Sequence, residues 1–197
     1  MKPVLYCATT NAAKVKEFRA ALEAHYDVRQ LPDIDGIPPP EETGATFEEN
    51  AALKAVYYSG FRGDPVFADD SGLEVDALGG APGVYSARFA GEHANDADNN
   101  RLVLERMAGG VDRTARFVCV IALAHQGEVT GSFRGVVEGV LLEEPRGPHG
   151  FGYDPLFYYP AFGCSFGEAE LARKGEVSHR GQALRALRDH LDKLAAV

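Results

Sequence analysis

The sequence predicts an α/β fold built on a mixed β-sheet flanked by helices. Three stretches carry that expectation. Val4–Ala8 is a short apolar run followed by a polar loop and a segment with apolar residues at helical spacing. RFVCVIALA, residues 116–124, is nearly continuous apolar sequence, as in a strand covered on both faces. Beyond it, His125-Gln126-Gly127 signals a turn between two runs that read as antiparallel strands.

Taken in order, Val4–Ala8 is the first strand. Asn11 then caps a helix from about residue 12 to 24, with Val15, Phe18 and Leu22 on one face. A strand, a polar loop and a helix N-terminus make an anion site, because unpaired backbone N–H groups and the helix dipole both favour phosphate. Lys14 adds a cation there. The glycine pattern and Lys-Ser/Thr pair of a P-loop are missing. Residues 26–31 suggest a second strand, and 32–40 a loop. Thr46 and Glu49 are spaced as a capping box for a helix running to about Ser59. At helical spacing Phe47, Asn50, Ala51, Lys54 and Tyr58 share a face, so Lys54 needs a phosphate, a carboxylate or a route to solvent.

The chain is organised around VFADDSGLEVDALGGAPGVYSARFAG, residues 66–91. Val66-Phe67-Ala68 reads as a buried strand that ends in a turn at Asp69-Asp70-Ser71-Gly72. Alternation along a strand sends Asp69 and Asp70 to opposite faces, so they are not a side-by-side acid pair. One faces a cleft and the other anchors the loop. Hard carboxylate oxygens at a strand end suit Mg²⁺ that also holds phosphates, and a carboxylate here can deprotonate water. The glycine-rich bend 79–83 follows, then Tyr85 and Arg88. Asn95 or Asp96 caps a helix carrying Leu102, Val103 and Met107. After the 116–124 strand come strands at 129–133 and 136–142.

Gly147–Pro155 (GPHGFGYDP) has glycines that let backbone approach a ligand. Phe151 and Tyr153 offer ring faces for a base and Asp154 an acceptor. A short helix spans 168–172, with Lys174 in the loop after it. Ser178 caps the last helix, whose apolar stripe is Leu184, Leu187, Leu191 and Leu194. Arg180 in its first turn opposes the helix dipole, so something outside the helix must hold it there.

Composition bounds the function. The chain has 197 residues, 45% hydrophobic and 25% charged, which fits one soluble globular domain, residues 1–197. A net charge of −9 argues against a nucleic-acid partner. Cys7, Cys119 and Cys164 are too few and too far apart for a disulfide framework or a zinc site. No signal peptide leads the chain, and no apolar run approaches the roughly 20 residues of a membrane span, so a cytoplasmic location is expected.

The motifs together resemble the inosine triphosphate pyrophosphatase family, also called Ham1-like. ADDSGLEVDALGGAPGVYSARFAG matches its central motif. Thr9-Thr10-Asn11-Ala12-Ala13-Lys14 matches its Ser/Thr-x-Asn-x-x-Lys phosphate loop, with Thr10 where many relatives have glycine. Threonine tolerates positive φ poorly, so the loop should differ slightly. The EETG-x-T-F-x-x-N-A-x-x-K-A pattern, FGYDP and Lys174 with His179-Arg180-Gly181 also match.

The resemblance implies a long mixed sheet in two lobes with a central groove, a homodimer, and Mg²⁺. It implies hydrolysis of ITP, dITP or XTP to monophosphate and pyrophosphate. Glu41 and Asp70 would bind the metal, with Glu41 preferred to Glu42 and Asp69 a further candidate. Asp70 would be the general base, with Lys14 and Lys54 catalytic beside it. Lys14, Lys54 and the loop Thr9, Thr10, Asn11 would hold the phosphates, Ala12, Ala13 and Ser71 would also bind substrate, and Phe151, Gly152, Tyr153, Asp154, Lys174, His179 and Arg180 would hold the nucleoside. The alternatives are a Maf-like pyrophosphatase with another base preference, and a nucleotide-binding regulator without catalysis.

Overall fold

The computed structural model describes residues 2–195. The strands are β1 (Val4–Cys7), β2 (Asp27–Gln30), β3 (Val66–Val75), β4 (Thr114–His125), β5 (Glu128–Leu141), β6 (Phe157–Tyr159) and β7 (Cys164–Ser165). The α-helices are α1 (Ala12–Leu22), α2 (Phe47–Ser59), α3 (Asp96–Arg106), α4 (Leu171–Val177) and α5 (His179–Ala195). The sheet order is β2-β1-β3-β4-β5-β6-β7. β1 pairs in parallel with β2 and β3, whereas β6 pairs antiparallel with β5 and β7, so the sheet is mixed as expected.

The chain divides into two compact units. The first comprises the chain up to Asp70, Cys119–Gly135 and the chain from His179; the second comprises Ser71–Val118 and Val136–Ser178. Each has its own core. In the first, Leu5, Phe18, Leu22, Phe67, Ile121 and Leu184 are buried together. In the second, Leu73, Val103, Phe117, Leu156, Phe157 and Phe166 are. No helix among the described residues is long and apolar enough to cross a membrane.

Three expectations about elements are corrected. The strand from Val66 does not stop at Asp69 but continues to Val75, because the residues on both sides of the Asp pair are buried and its carboxylates find cations. The two expected strands after Gly127 are one strand, β5, because Arg134 and Gly135 continue the ladder rather than breaking it. The short helix expected at 168–172 is displaced to α4, Leu171–Val177, so Lys174 lies inside it rather than in a loop after it. Elsewhere the local signals hold. Asn11 accepts from the backbone N–H of Ala13 and Lys14. Thr46–Glu49 and Asn95–Asp98 form capping boxes. Gln126 and Gly127, at φ 52° and 83°, form the tight turn between β4 and β5. The stripe on α5 is buried at Leu184 and Leu187, but Leu194 is exposed.

Gly135 of β5 lies against the first turn of α5: a Cβ there would fall 2.0 Å from the His179 carbonyl oxygen and 2.9 Å from Ala183 N. Backbone atoms cannot yield as a side-chain tip can. Gly135→Ala is therefore expected to destabilise the protein by about 1–3 kcal/mol, read as a lower urea midpoint at unchanged slope.

Candidate active site

The first unit gathers its charged groups around the two neighbouring aspartates of β3. Alternation does separate them. Lys14 Nζ lies 2.9 Å from Asp69 Oδ2, and an Arg180 guanidinium nitrogen lies 3.5 Å from the same oxygen. Asp70 instead accepts from Lys54 Nζ at 2.9 Å and from Asn50 Nδ2 at 3.3 Å. α2 delivers both of those partners from one face, since Asn50 and Lys54 are four residues apart. Lys54 also reaches Glu42 Oε1 at 2.9 Å, so two carboxylates converge on one ammonium. The Asn50 side-chain oxygen Oδ1 accepts from Gly44 N at 2.8 Å and ties the loop before α2 to the same point.

The two aspartates differ electrostatically. Burial alone would raise Asp69, but Lys14, Arg180 and Lys54 outweigh it and bring its pKa down to about 2. Burial raises Asp70 above the ordinary carboxylate value, and Lys54 only partly offsets this. Lys54 is also raised: burial opposes its charge, but Asp70, Glu42 and Asp69 together prevail. Asp69 is thus a fixed counter-ion, and Asp70 is the more basic of the pair. Because Asp69 is depressed below its unfolded value near 3.8, its contribution of about 2 kcal/mol is complete above pH 4 and is lost as pH falls towards 2. Asp70 has the opposite sign, its cost being relieved on protonation. Urea titrations of the metal-free protein between pH 6 and 2 should show a loss of stability that Asp69→Asn removes.

Local hydrogen bonds hold the loop from Thr9 to Lys14. Thr9 Oγ1 accepts from Asn11 N at 3.2 Å, and Gln30 Nε2 donates to the Thr9 carbonyl at 3.0 Å. Thr10 and Ala12 are exposed, and Ala13 and Lys14 are half-buried. Among the described residues only Asp33 and Gln126 carry a positive φ outside glycine. Thr10 therefore fits the loop without the left-handed backbone a glycine would permit.

The second unit holds the FGYD loop. Asp154 and Lys174 form a buried ion pair, Lys174 Nζ to Asp154 Oδ2 at 2.6 Å. The same oxygen accepts from Phe151 N at 2.9 Å. Lys174 Nζ also stands 5.2 Å from the centroid of the half-buried Phe151 ring.

A profile of the Ham1 family matches residues 5–190. The chain belongs to the Ham1 family. It is 52% identical over 184 residues to a dITP/XTP pyrophosphatase of Exiguobacterium sp., covering 93% of this chain and 94% of that one. It is 49% identical over 196 residues to a dITP/XTP pyrophosphatase of Bacillus licheniformis, covering 98% of this chain and all of that one. The solved structure of a HAM1 protein from Coxiella burnetii superposes with a TM-score of 0.87 at 41% identity, covering 97% of this chain and 99% of that one.

For this Ham1 family chain, the structure places Glu42, Tyr153 and Arg180 as follows. Glu42, not Glu41, joins the Asp70 cluster; Glu41 is exposed, and its neighbour points to Lys54. Tyr153 does not present its ring to a base. It is 4% exposed in the second core, and its hydroxyl donates to the Ser86 carbonyl at 2.8 Å. Arg180 is 2% exposed and is held by Glu17 of α1, at 2.6 Å, and by Asp69. Those carboxylates are what holds a cation in the first turn of α5. Ser71 is half-buried in β3 and His179 is buried at the start of α5. Glu17 and Asn50 were not read as site residues from sequence. Asn50 had a signal, a buried amide on an apolar helix face; Glu17 had none, because its partner is 163 residues away.

Proposed function

We propose that the protein hydrolyses non-canonical purine nucleoside triphosphates, ITP, dITP and XTP, to the monophosphate and pyrophosphate. What supports this is Asp70, a buried carboxylate of raised pKa held by Lys54 and Asn50, in a chain whose relatives are named dITP/XTP pyrophosphatases. Asp70 takes the proton of the water that attacks the α-phosphorus. Its raised pKa makes it a stronger acceptor than an ordinary carboxylate. Lys14, Lys54 and the Thr9 to Lys14 loop bind the phosphates, and Asp69 orients Lys14 through their 2.9 Å ion pair. Positioning and charge stabilisation supply most of the rate. Phe151, Asp154 and Lys174 of the second unit select a 6-keto purine, since a 6-amino group leaves their hydrogen bonds unmet.

Mg²⁺ fits this residue set. Among the described residues no three His, Cys, Asp or Glu side chains form a metal cluster. Mg²⁺ next to a triphosphate, however, is usually held by one or two carboxylates with phosphates and waters completing its shell. Glu42 and Asp70 provide such a pair of hard oxygens, converging on Lys54. The ion would neutralise charge on the triphosphate. Glu42→Gln should raise the Mg²⁺ concentration needed for half-maximal rate by about tenfold or more, and Glu41→Gln should leave it within about twofold. Equal effects of the two would remove Glu42 from the metal site. The protein acts on the cytoplasmic nucleotide pool as a homodimer, which sedimentation tests.

The deciding experiment is pyrophosphate release with Mg²⁺ from dITP and XTP against dGTP, dATP and dTTP. Strong preference for the first two is expected. Equal turnover, or turnover of modified pyrimidines only, would transfer the reading to a Maf-like activity. Binding without turnover would make the protein a regulator.

A further inference from the structure

The FGYD loop is held by residues that the proposed function does not use. Gly152 sits in the left-handed region at φ 62°. Its peptide groups are gripped on both sides by the first turns of α3. Gly152 N donates to Asp96 Oδ2 at 2.6 Å, and Asn100 Nδ2 donates to the Gly152 carbonyl at 2.8 Å. Asp96 and Asn100 are four residues apart and so lie on the same helix face. Asn100 also donates to the Asp96 carbonyl at 2.8 Å, which fixes its amide orientation.

Apolar packing does not hold the loop to α3 throughout. Beside the clamp formed by Asp96, Asn100 and Gly152, an open groove of about 540 Å³ separates Ala97, Arg101 and Leu104 of α3 from Pro148, Gly150 and Phe151 of the loop. The two hydrogen bonds to Gly152 therefore set the register of the loop against the helix. On the other side of Gly152, Tyr153 is fixed by its core burial and its bond to Ser86. Phe151 and Asp154 flank the clamped residues. A free left-handed glycine would let the Phe151 ring and the Phe151 N–H to Asp154 bond move independently of the core.

We infer that Asp96 and Asn100 are positioning residues for base selection, acting through Gly152 on the ring of Phe151 and the carboxylate of Asp154. This rests on the proposed reading of that loop as the purine-binding element. Hydrogen-bond readout discriminates bases only when its groups are held in place, so loosening the loop should cost selectivity before it costs chemistry.

The test compares Asn100→Ala, Asp96→Ala and Asp96→Asn with Asn95→Ala in pyrophosphate release from dITP and dGTP. Asn95→Ala removes the cap of α3 without touching Gly152 and so reports helix destabilisation alone. The expected result is a fall of about tenfold in the dITP/dGTP ratio of kcat/KM for Asn100→Ala and Asp96→Ala, mostly in the KM for dITP. Asp96→Asn, which retains an acceptor for Gly152 N, should recover most of it. Hydrogen exchange of the segment around Gly152 should quicken in the two Ala variants, independently of activity. An unchanged ratio in folded Asn100→Ala and Asp96→Ala, or an equal fall in Asn95→Ala, would overturn the inference. A wild-type protein with no preference for dITP would instead overturn the purine reading on which it rests, whatever the exchange result.

Discussion

Asp70→Asn is expected to lower pyrophosphate release from dITP by about 10²–10⁴-fold while nucleotide affinity changes by less than about tenfold. The substitution is isosteric. Its amide oxygen can still accept from Lys54, with the hydrogen bond from Asn50 Nδ2 given up, but an amide cannot take a proton from water. The acid limb of the kcat profile that reports Asp70 should vanish from the residual rate of the variant. Single-turnover kinetics and equilibrium binding separate the two quantities. Retained turnover would show that Asp70 is not the base.

Asp154→Ala is the second change of large expected effect, here on stability. Lys174 and Asp154 are each 3% exposed in their side chains. Removing the carboxylate takes from a buried ammonium its close counter-ion and from Phe151 N its acceptor. Breaking a buried pair on one side costs about 3–5 kcal/mol. Urea unfolding should show this, and the double change Asp154→Ala with Lys174→Met should recover a good part of it, because a buried apolar pair of similar volume carries no such cost. A loss below about 1 kcal/mol in the single variant would mean that the pair adds little to the second unit.

These predictions depend on features that differ in how far they could be seen in the sequence. Caps and turns were legible because their partners are within a few residues: Asn11 with Ala13 and Lys14, Thr46 with Glu49, Gln126 with Gly127. The opposite orientation of Asp69 and Asp70 was legible because strand periodicity alone dictates it. The wheel face holding Asn50 and Lys54 was legible for the same kind of reason. The choice between Glu41 and Glu42 was not, because an irregular loop has no period from which to read a direction. Tyr153 was misread because an aromatic in a glycine-rich loop suits either a ligand or a core, and the hydroxyl that decides it bonds to Ser86, 67 residues away.

The α/β class, the caps, the alternating aspartates and the motifs that place the chain in its family can all be read along the chain. All of these follow from residue spacing and local chemistry. Which groups face each other depends instead on packing between distant segments: Glu17 on Arg180, Glu42 on Lys54, Asp154 on Lys174, and the α3 clamp on Gly152. Such pairs join segments 12 to 163 residues apart, and a buried charge takes whichever partner the packing of helices on the sheet brings within reach.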